Sequence, residues 1–167
     1  YKRQVRNNGG GNLTTAEKLA ERFTNEKKLI GYMSYKTGPG HNEFSTPEAV
    51  YLEPPMDRVR WQKHTVVLTN RRSYSATNDF VNRMKQLDRV TVIGDKTGGG
   101  SGLPFSSELP NGWSVRFSAS PMYDPDMKHL EFGIEPDKKV DITSEDYNKG
   151  IDTIIEAARE YLHNHKQ

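Results

Sequence analysis

Apolar and polar positions in this chain follow two periods. Val66-Val67-Leu68 is an unbroken apolar run that stops at Asn70-Arg71-Arg72, the signature of a short strand covered on both faces. Ala76, Phe80, Met84 and Leu87 then recur at the spacing of one helical face, and Val90-Thr91-Val92-Ile93 repeats the buried-strand pattern. Strand, helix, strand in that order predicts a parallel crossover unit. Further on, Trp113, Val115 and Phe117 alternate with Ser114, Arg116 and Ser118 behind the turn Pro110-Asn111-Gly112. That alternation predicts a β-hairpin with one buried and one wet face. Ile151, Ile154, Ile155, Ala158, Tyr161 and Leu162 form an apolar stripe within a packing helix over about 145–163. Near the start, Thr14-Thr15-Ala16-Glu17 fits a capping box, and Ala16, Leu19, Ala20 and Phe23 place a helix over about 14–24. Residues 37–60, broken by Pro39, Pro47, Pro54 and Pro55, read as an extended surface excursion.

Composition narrows the function classes. A chain of 167 residues fits one domain with a core of its own. Its 24 Lys and Arg against 22 Asp and Glu are scattered, so no nucleic-acid footprint is present. Cysteine is absent, which excludes disulfides, thiolate catalysis and zinc–cysteine sites. No His or carboxylate pair recurs at ligand spacing, so no metal is expected. The longest apolar runs are strand-sized, short of the roughly 20 residues of a membrane helix, and no membrane contact is expected. The polar opening Tyr1-Lys2-Arg3-Gln4 has no initiator Met, which reads as a piece of a longer chain.

The chemistry-bearing stretch is Thr69 to Ala76, where a buried strand gives way to a helix within a few residues. Ser75 sits at that turn. A serine there presents its hydroxyl at the strand's carboxyl end, beside the free N–H groups and positive dipole end of the helix, which can stabilise an oxyanion. The same position suits a plain helix N-cap, and no G-x-S-x-G elbow is present. The loop Gly94-Asp95-Lys96-Thr97-Gly98-Gly99-Gly100-Ser101-Gly102 is glycine-rich enough to approach a ligand closely, making Gly99 and Gly100 candidate substrate contacts. His41, in the constrained loop Gly38-Pro39-Gly40-His41-Asn42, is a third candidate for the substrate groove.

Five ordered segments carry a family resemblance: Val5-Arg6-Asn7-Asn8-Gly9-Gly10-Gly11-Asn12-Leu13, Val66-Val67-Leu68-Thr69-Asn70, Ser73-Tyr74-Ser75-Ala76, Val92 to Gly100, and Gly133-Ile134-Glu135-Pro136-Asp137. Together they resemble the catalytic core of the C-terminal processing (tail-specific) and tricorn-type serine peptidases. The resemblance implies a layered α/β fold similar to the ClpP and crotonase type, with parallel crossover units and a β-hairpin. It implies Ser75 as nucleophile, with the backbone N–H groups of Gly11 and Ala76 as oxyanion donors. Its substrates would be unfolded or C-terminal peptide segments, with no cofactor. It also implies a periplasmic or envelope location, for which this chain carries no signal.

Departures from the family pattern matter as much. The processing branch carries a general-base lysine 25 residues after the serine, and here that position is Gly100. Lys96 shares the loop, but so polar a loop offers little of the desolvation that turns a lysine into a base. The lysine-less tricorn-type branch uses an upstream histidine with a downstream glutamate, which lands on Glu131, with Leu130 and Phe132 as apolar surround and Glu135 competing. Its base would precede the glycine loop and so lie upstream of Tyr1. The family's apolar lead strand is missing or replaced at residues 1–4, which would leave Val5 and the sheet edge exposed. Two other classes stay open: a degenerate core that binds peptides without cutting them, and a crotonase-type acyl-CoA enzyme.

Overall fold

The computed structural model describes residues 2–56 and 59–165; Tyr1, of the polar opening segment, lies outside them. The strands are β1 (Lys2–Gln4), β2 (Lys28–Met33), β3 (Glu48–Leu52), β4 (Thr65–Thr69), β5 (Val90–Gly94), β6 (Phe105–Glu108), β7 (Ser114–Phe117), β8 (Met122–Tyr123) and β9 (Lys138–Lys139). The helices are α1 (Leu13–Ala20), α2 (Ala76–Lys85), α3 (Ser144–Asn148) and α4 (Thr153–Asn164). A parallel sheet runs β1-β4-β5-β9, an antiparallel sheet β3-β2-β8, and β6 and β7 pair only with each other.

The parallel sheet behaves as its apolar runs require. All five residues of β4 are buried, and its side chains alternate between two cores. Val67 faces Phe80, Met84, Ile30 and Leu52, while Val66 and Leu68 face Ile154 and Ala158. The order of layers is therefore α4, parallel sheet, α2 with α1, and antiparallel sheet. Each fully buried Val, Leu or Ile contributes about 1.5–3 kcal/mol. The β4-α2-β5 crossover forms as expected, with β5 parallel to β4 in the register Val66↔Thr91 to Thr69↔Gly94.

Helix α2 is buried nearly all round, polar residues included, and these bind it to the surrounding loops. Asn78 Nδ2 donates to Ser101 Oγ (2.8 Å) and to the Leu130 carbonyl (3.0 Å). Thr97 Oγ1 donates to Asn78 Oδ1 and accepts from the Ile134 N–H at 2.7 Å. Asn82 Nδ2 donates to the Ile30 carbonyl at 2.7 Å. The helix launched at Ser75 is thus the strut on which the glycine loop and the 130–134 segment are hung.

Several expectations are corrected. The lead strand is present: Lys2–Gln4 pairs in parallel with Val66–Leu68 despite its polar sequence, and Val5 is buried. Parallel backbone pairing with β4 holds it in place. The first helix starts at Leu13 behind Asn12, whose side chain accepts from the Thr15 N–H, so the Thr14 capping box does not form. The 37–60 excursion contains β3, paired to β2 with a register shift between Leu29 and Gly31. The hairpin forms but has no buried face: only Val115 of β7 is partly covered, and Trp113 and Phe117 are exposed. The terminal helix breaks at Lys149-Gly150 into α3 and α4, whose N-cap Asp152 binds both the Ile154 and Ile155 N–H groups. Among the described residues no helix is long and apolar enough to cross a membrane.

Candidate active site

Strand β4 delivers the chain to a turn built on backbone bonds. Ser73 is buried and structural: its Oγ donates to the Val5 carbonyl (2.8 Å) and accepts from the Asn70 N–H (3.2 Å). Tyr74 N–H donates to the Asn8 carbonyl (3.0 Å), and Ser75 N–H to the Gly99 carbonyl (2.8 Å). Both glycine-bearing loops are thereby tied to the two residues at the head of α2. Ser75 itself has φ 58° and ψ −128° and makes no side-chain cap bond. A non-glycine residue held at such a φ costs on the order of 1–3 kcal/mol and persists only where its surroundings enforce it. Ser75 occupies the N-cap position without doing the work of a cap, and its hydroxyl has no hydrogen-bond partner among the described residues.

Two cavities of about 240 and 660 Å³ meet at Ser75, and Gly11, Gly100, Pro104 and Arg116 line both. Ala76 and Asp79 line the smaller, together with Leu13, Leu103 and Met122. Tyr74, Ser118 and Glu131 line the larger. The Gly9–Gly11 loop presses close to the helix start, where a Cβ on Gly10 would lie 2.8 Å from Ser75 Cβ and 2.9 Å from the Ala76 nitrogen. Gly10 spends its N–H on Asn8 Oδ1 (3.0 Å). The N–H groups of Gly11 and Ala76 have no acceptor among the described residues, as expected for Ala76 in the first turn of a helix.

Glu131 reaches the larger cavity from a 3₁₀ turn, Leu130–Phe132, capped by His129, whose Nδ1 accepts from the Glu131 N–H at 3.1 Å. Its carboxylate accepts from Ser118 Oγ at 3.4 Å, and its carbonyl accepts from the Gly100 N–H at 3.1 Å. Leu130 is buried, but Phe132 is exposed and tilts against the His129 ring, so the expected apolar surround is one-sided. Glu135 lies elsewhere, paired with Lys96 at 3.0 Å, and both line a separate cavity with His129. His41 is exposed in a loop where its carbonyl accepts from Lys36 Nζ at 3.2 Å, and it does not line either cavity at Ser75. Among the described residues no histidine lines them.

Sequence reasoning missed three residues. Tyr74 covers Gly100: a Cβ there would sit 2.2 Å from the ring's Cζ, so the phenol takes up the space a side chain at that position would need. Asp79, one helical turn beyond Ser75, pairs with Arg83 at 2.6 Å, both nearly fully buried, and burial pushes its carboxyl up although Arg83 pulls the other way. Its i+4 spacing from Ser75 was the available signal. Arg116 was legible only as a wet-face hairpin residue.

The model of peptidase family S41 matches residues 5–140. The chain belongs to peptidase family S41. It is 26% identical over 138 residues to the "Probable CtpA-like serine protease" of Staphylococcus saprophyticus, covering 82% of this chain and 26% of that protein. A crystal structure of a "putative peptidase" from Parabacteroides merdae superposes with a TM-score of 0.92 at 61% identity, over 96% of this chain and 51% of that one. The tricorn protease shares the fold at a TM-score of 0.59 and 23% identity, over 99% of this chain and 15% of its own. The chain thus spans about a quarter of that curated relative and half of the first solved one. The layered α/β fold expected from the S41-like motifs is the one observed.

Proposed function

We propose that this chain is the catalytic core of a serine peptidase that hydrolyses peptide bonds by acyl transfer in unfolded or C-terminal segments. One observation carries the reading. Ser75 sits at a strained strand-to-helix turn with a free hydroxyl, in a cavity shared with the free N–H of Gly11 and beside that of Ala76. In this mechanism Ser75 Oγ attacks the scissile carbonyl, its proton passes through a general base to the leaving amine, and water then hydrolyses the acyl-serine. The two N–H groups hold the oxyanion of each tetrahedral intermediate, where such donors are worth on the order of 10²–10³ in rate apiece.

Glu131 would orient the base from the larger cavity. The tricorn-type resemblance supports a histidine from a preceding segment as that base, since no imidazole among the described residues lines the cavities. The same resemblance supports an envelope location, to be tested by cell fractionation. The family match weighs against the acyl-CoA alternative.

Incubation with a fluorophosphonate, followed by peptide mapping, tests the reading. The expected adduct lies on Ser75 and disappears in Ser75→Ala. A folded protein that carries the preceding segment and still acquires no adduct there would refute Ser75 as nucleophile and favour the peptide-binding alternative.

A further inference from the structure

The two cavities at Ser75 are lined by three charged side chains, and two of them are engaged. Asp79 is held by Arg83, and the Glu131 carboxylate accepts from Ser118. The third is Arg116, the only cation lining either cavity among the described residues, and it lines both. It shares the larger cavity with Glu131 without an ion pair between them. Of the arginines whose side chains are described, only Arg116 and Arg72 have no side-chain hydrogen bond or ion pair.

Its backbone is paired within the hairpin. Arg116 sits opposite Ser106 in the four-residue β6–β7 ladder, and the neighbouring Phe117 packs edge-on against Phe105 with ring centroids 4.1 Å apart. An unpaired guanidinium lining both cavities at the serine presents a planar fork of N–H donors, a shape matched to carboxylates. Extended peptide advances about 3.3–3.6 Å per residue, so a carboxylate within a residue or two of a scissile bond lies only about 3–7 Å from it along the chain, and Arg116 lines both cavities that meet at Ser75.

We propose that Arg116 binds a carboxylate of the peptide substrate next to the scissile bond, making it a specificity-determining residue. This rests on the peptidase reading above. The carboxylate is either the chain terminus of the substrate or an acidic side chain; the chemistry recognised is the same.

The test uses the Ser75→Ala protein and a fluorescein-labelled eight-residue peptide of Ala, Val and Gln, read by anisotropy. The peptide is prepared as free acid, as C-terminal amide, and as amide with Glu at every Gln position. The expected result is that the free acid, the Glu peptide or both bind roughly 10-fold more tightly than the neutral amide, the scale of a charge-assisted bond weakened by solvent. Arg116→Gln should bring all three within twofold of one another, and Arg116→Lys should restore part of the preference. Arg72→Gln, which removes an equal charge outside the cavities, should leave the preference in place. Tighter binding of the free acid alone assigns the site to chain termini, and of the Glu peptide alone to side chains. Equal binding of all three, or a preference that survives Arg116→Gln, overturns the proposal and leaves the peptidase reading standing. Absence of all binding overturns it too, and the peptidase reading falls with it only if fluorophosphonate labelling of Ser75 also fails.

Discussion

Gly99 and Gly100 are adjacent, both at positive φ (83° and 78°), yet alanine should act on them very differently. The backbone strain is shared: an L-residue in this region costs about 1–2 kcal/mol. The surroundings are not. A Cβ on Gly99 would lie 1.9 Å from the Glu131 carbonyl oxygen, 2.7 Å from its carbon and 2.9 Å from the Gly133 nitrogen, all backbone. Relieving that overlap means moving one chain segment away from the other, at about 1–3 kcal/mol for overpacking. The movement would also stretch the Gly100 N–H bond to Glu131 and the Ser75 N–H bond to Gly99, each worth about 1 kcal/mol. The sum is about 4–7 kcal/mol, as much as the whole stability of a marginal domain. On Gly100 the atoms nearest the Cβ are outer ring atoms of Tyr74, a side chain that is 46% exposed and can swing into solvent. The cost there is about 1.5 kcal/mol, mostly φ strain. Urea denaturation followed by Trp61 and Trp113 fluorescence measures both. Gly99→Ala should also slow fluorophosphonate labelling about 10-fold or more, because Gly99 holds the Ser75 backbone. In a Tyr74→Ala background the Gly100→Ala penalty should fall only to its φ component. Equal destabilisation by the two single substitutions, within about 0.5 kcal/mol, would refute the argument from contact geometry.

Lys96→Ala should change Ser75 labelling less than twofold, since its ammonium pairs with Glu135 in another cavity; a loss of about 10²-fold, the scale of removing a general base, would restore a Ser-Lys mechanism. Asp79→Ala should destabilise by about 3–5 kcal/mol in urea melts, because it strands the buried Arg83 with only Glu17 at 3.4 Å, whereas Asp79→Leu with Arg83→Met should recover most of that. Asp152 has its carboxyl held below the usual carboxylate range, first by the Arg6 hydrogen bond. Its stabilisation is therefore present above the unfolded value of about 3.9 and is lost as pH falls through the lower folded one. The stability gap between wild type and Arg6→Met, about 1 kcal/mol after solvent screening, should close over that acid range in melts taken at successive pH values.

Local pattern was enough where one element decides its own environment. Val66-Val67-Leu68 has no polar face to expose, so it had to be covered on both sides. Pro110-Asn111-Gly112 could hardly be anything but a turn, and the strand, helix and strand around Ser75 followed from spacing alone. Pattern failed where pairing overrides side-chain preference. Lys2–Gln4 has no apolar pattern, yet it is a strand where β4 offers it backbone partners. Lys28–Met33 escaped notice although it is central to its sheet. It is interrupted by Gly31, which is needed because the Tyr123 carbonyl would lie 1.9 Å from a Cβ there. The hairpin's alternation promised a buried face that no other element arrives to cover.

The sequence by itself picked out the catalytic candidate, since a serine between a buried strand and a helix, with one glycine loop before it and one after, is a one-dimensional signal that resembles the family's ordered segments. Only the tertiary structure decided the company it keeps. Ser75 is strained and uncapped; that Glu131 and not Glu135 shares its cavity, that Tyr74 takes up the space above Gly100 and that Arg116 faces the cleft unpaired are relations between residues 26 to 56 positions apart. No local periodicity encodes such distances. They arise when α2, buried nearly all round, draws the loops around it into register through hydrogen bonds that have no counterpart in the hydrophobic pattern.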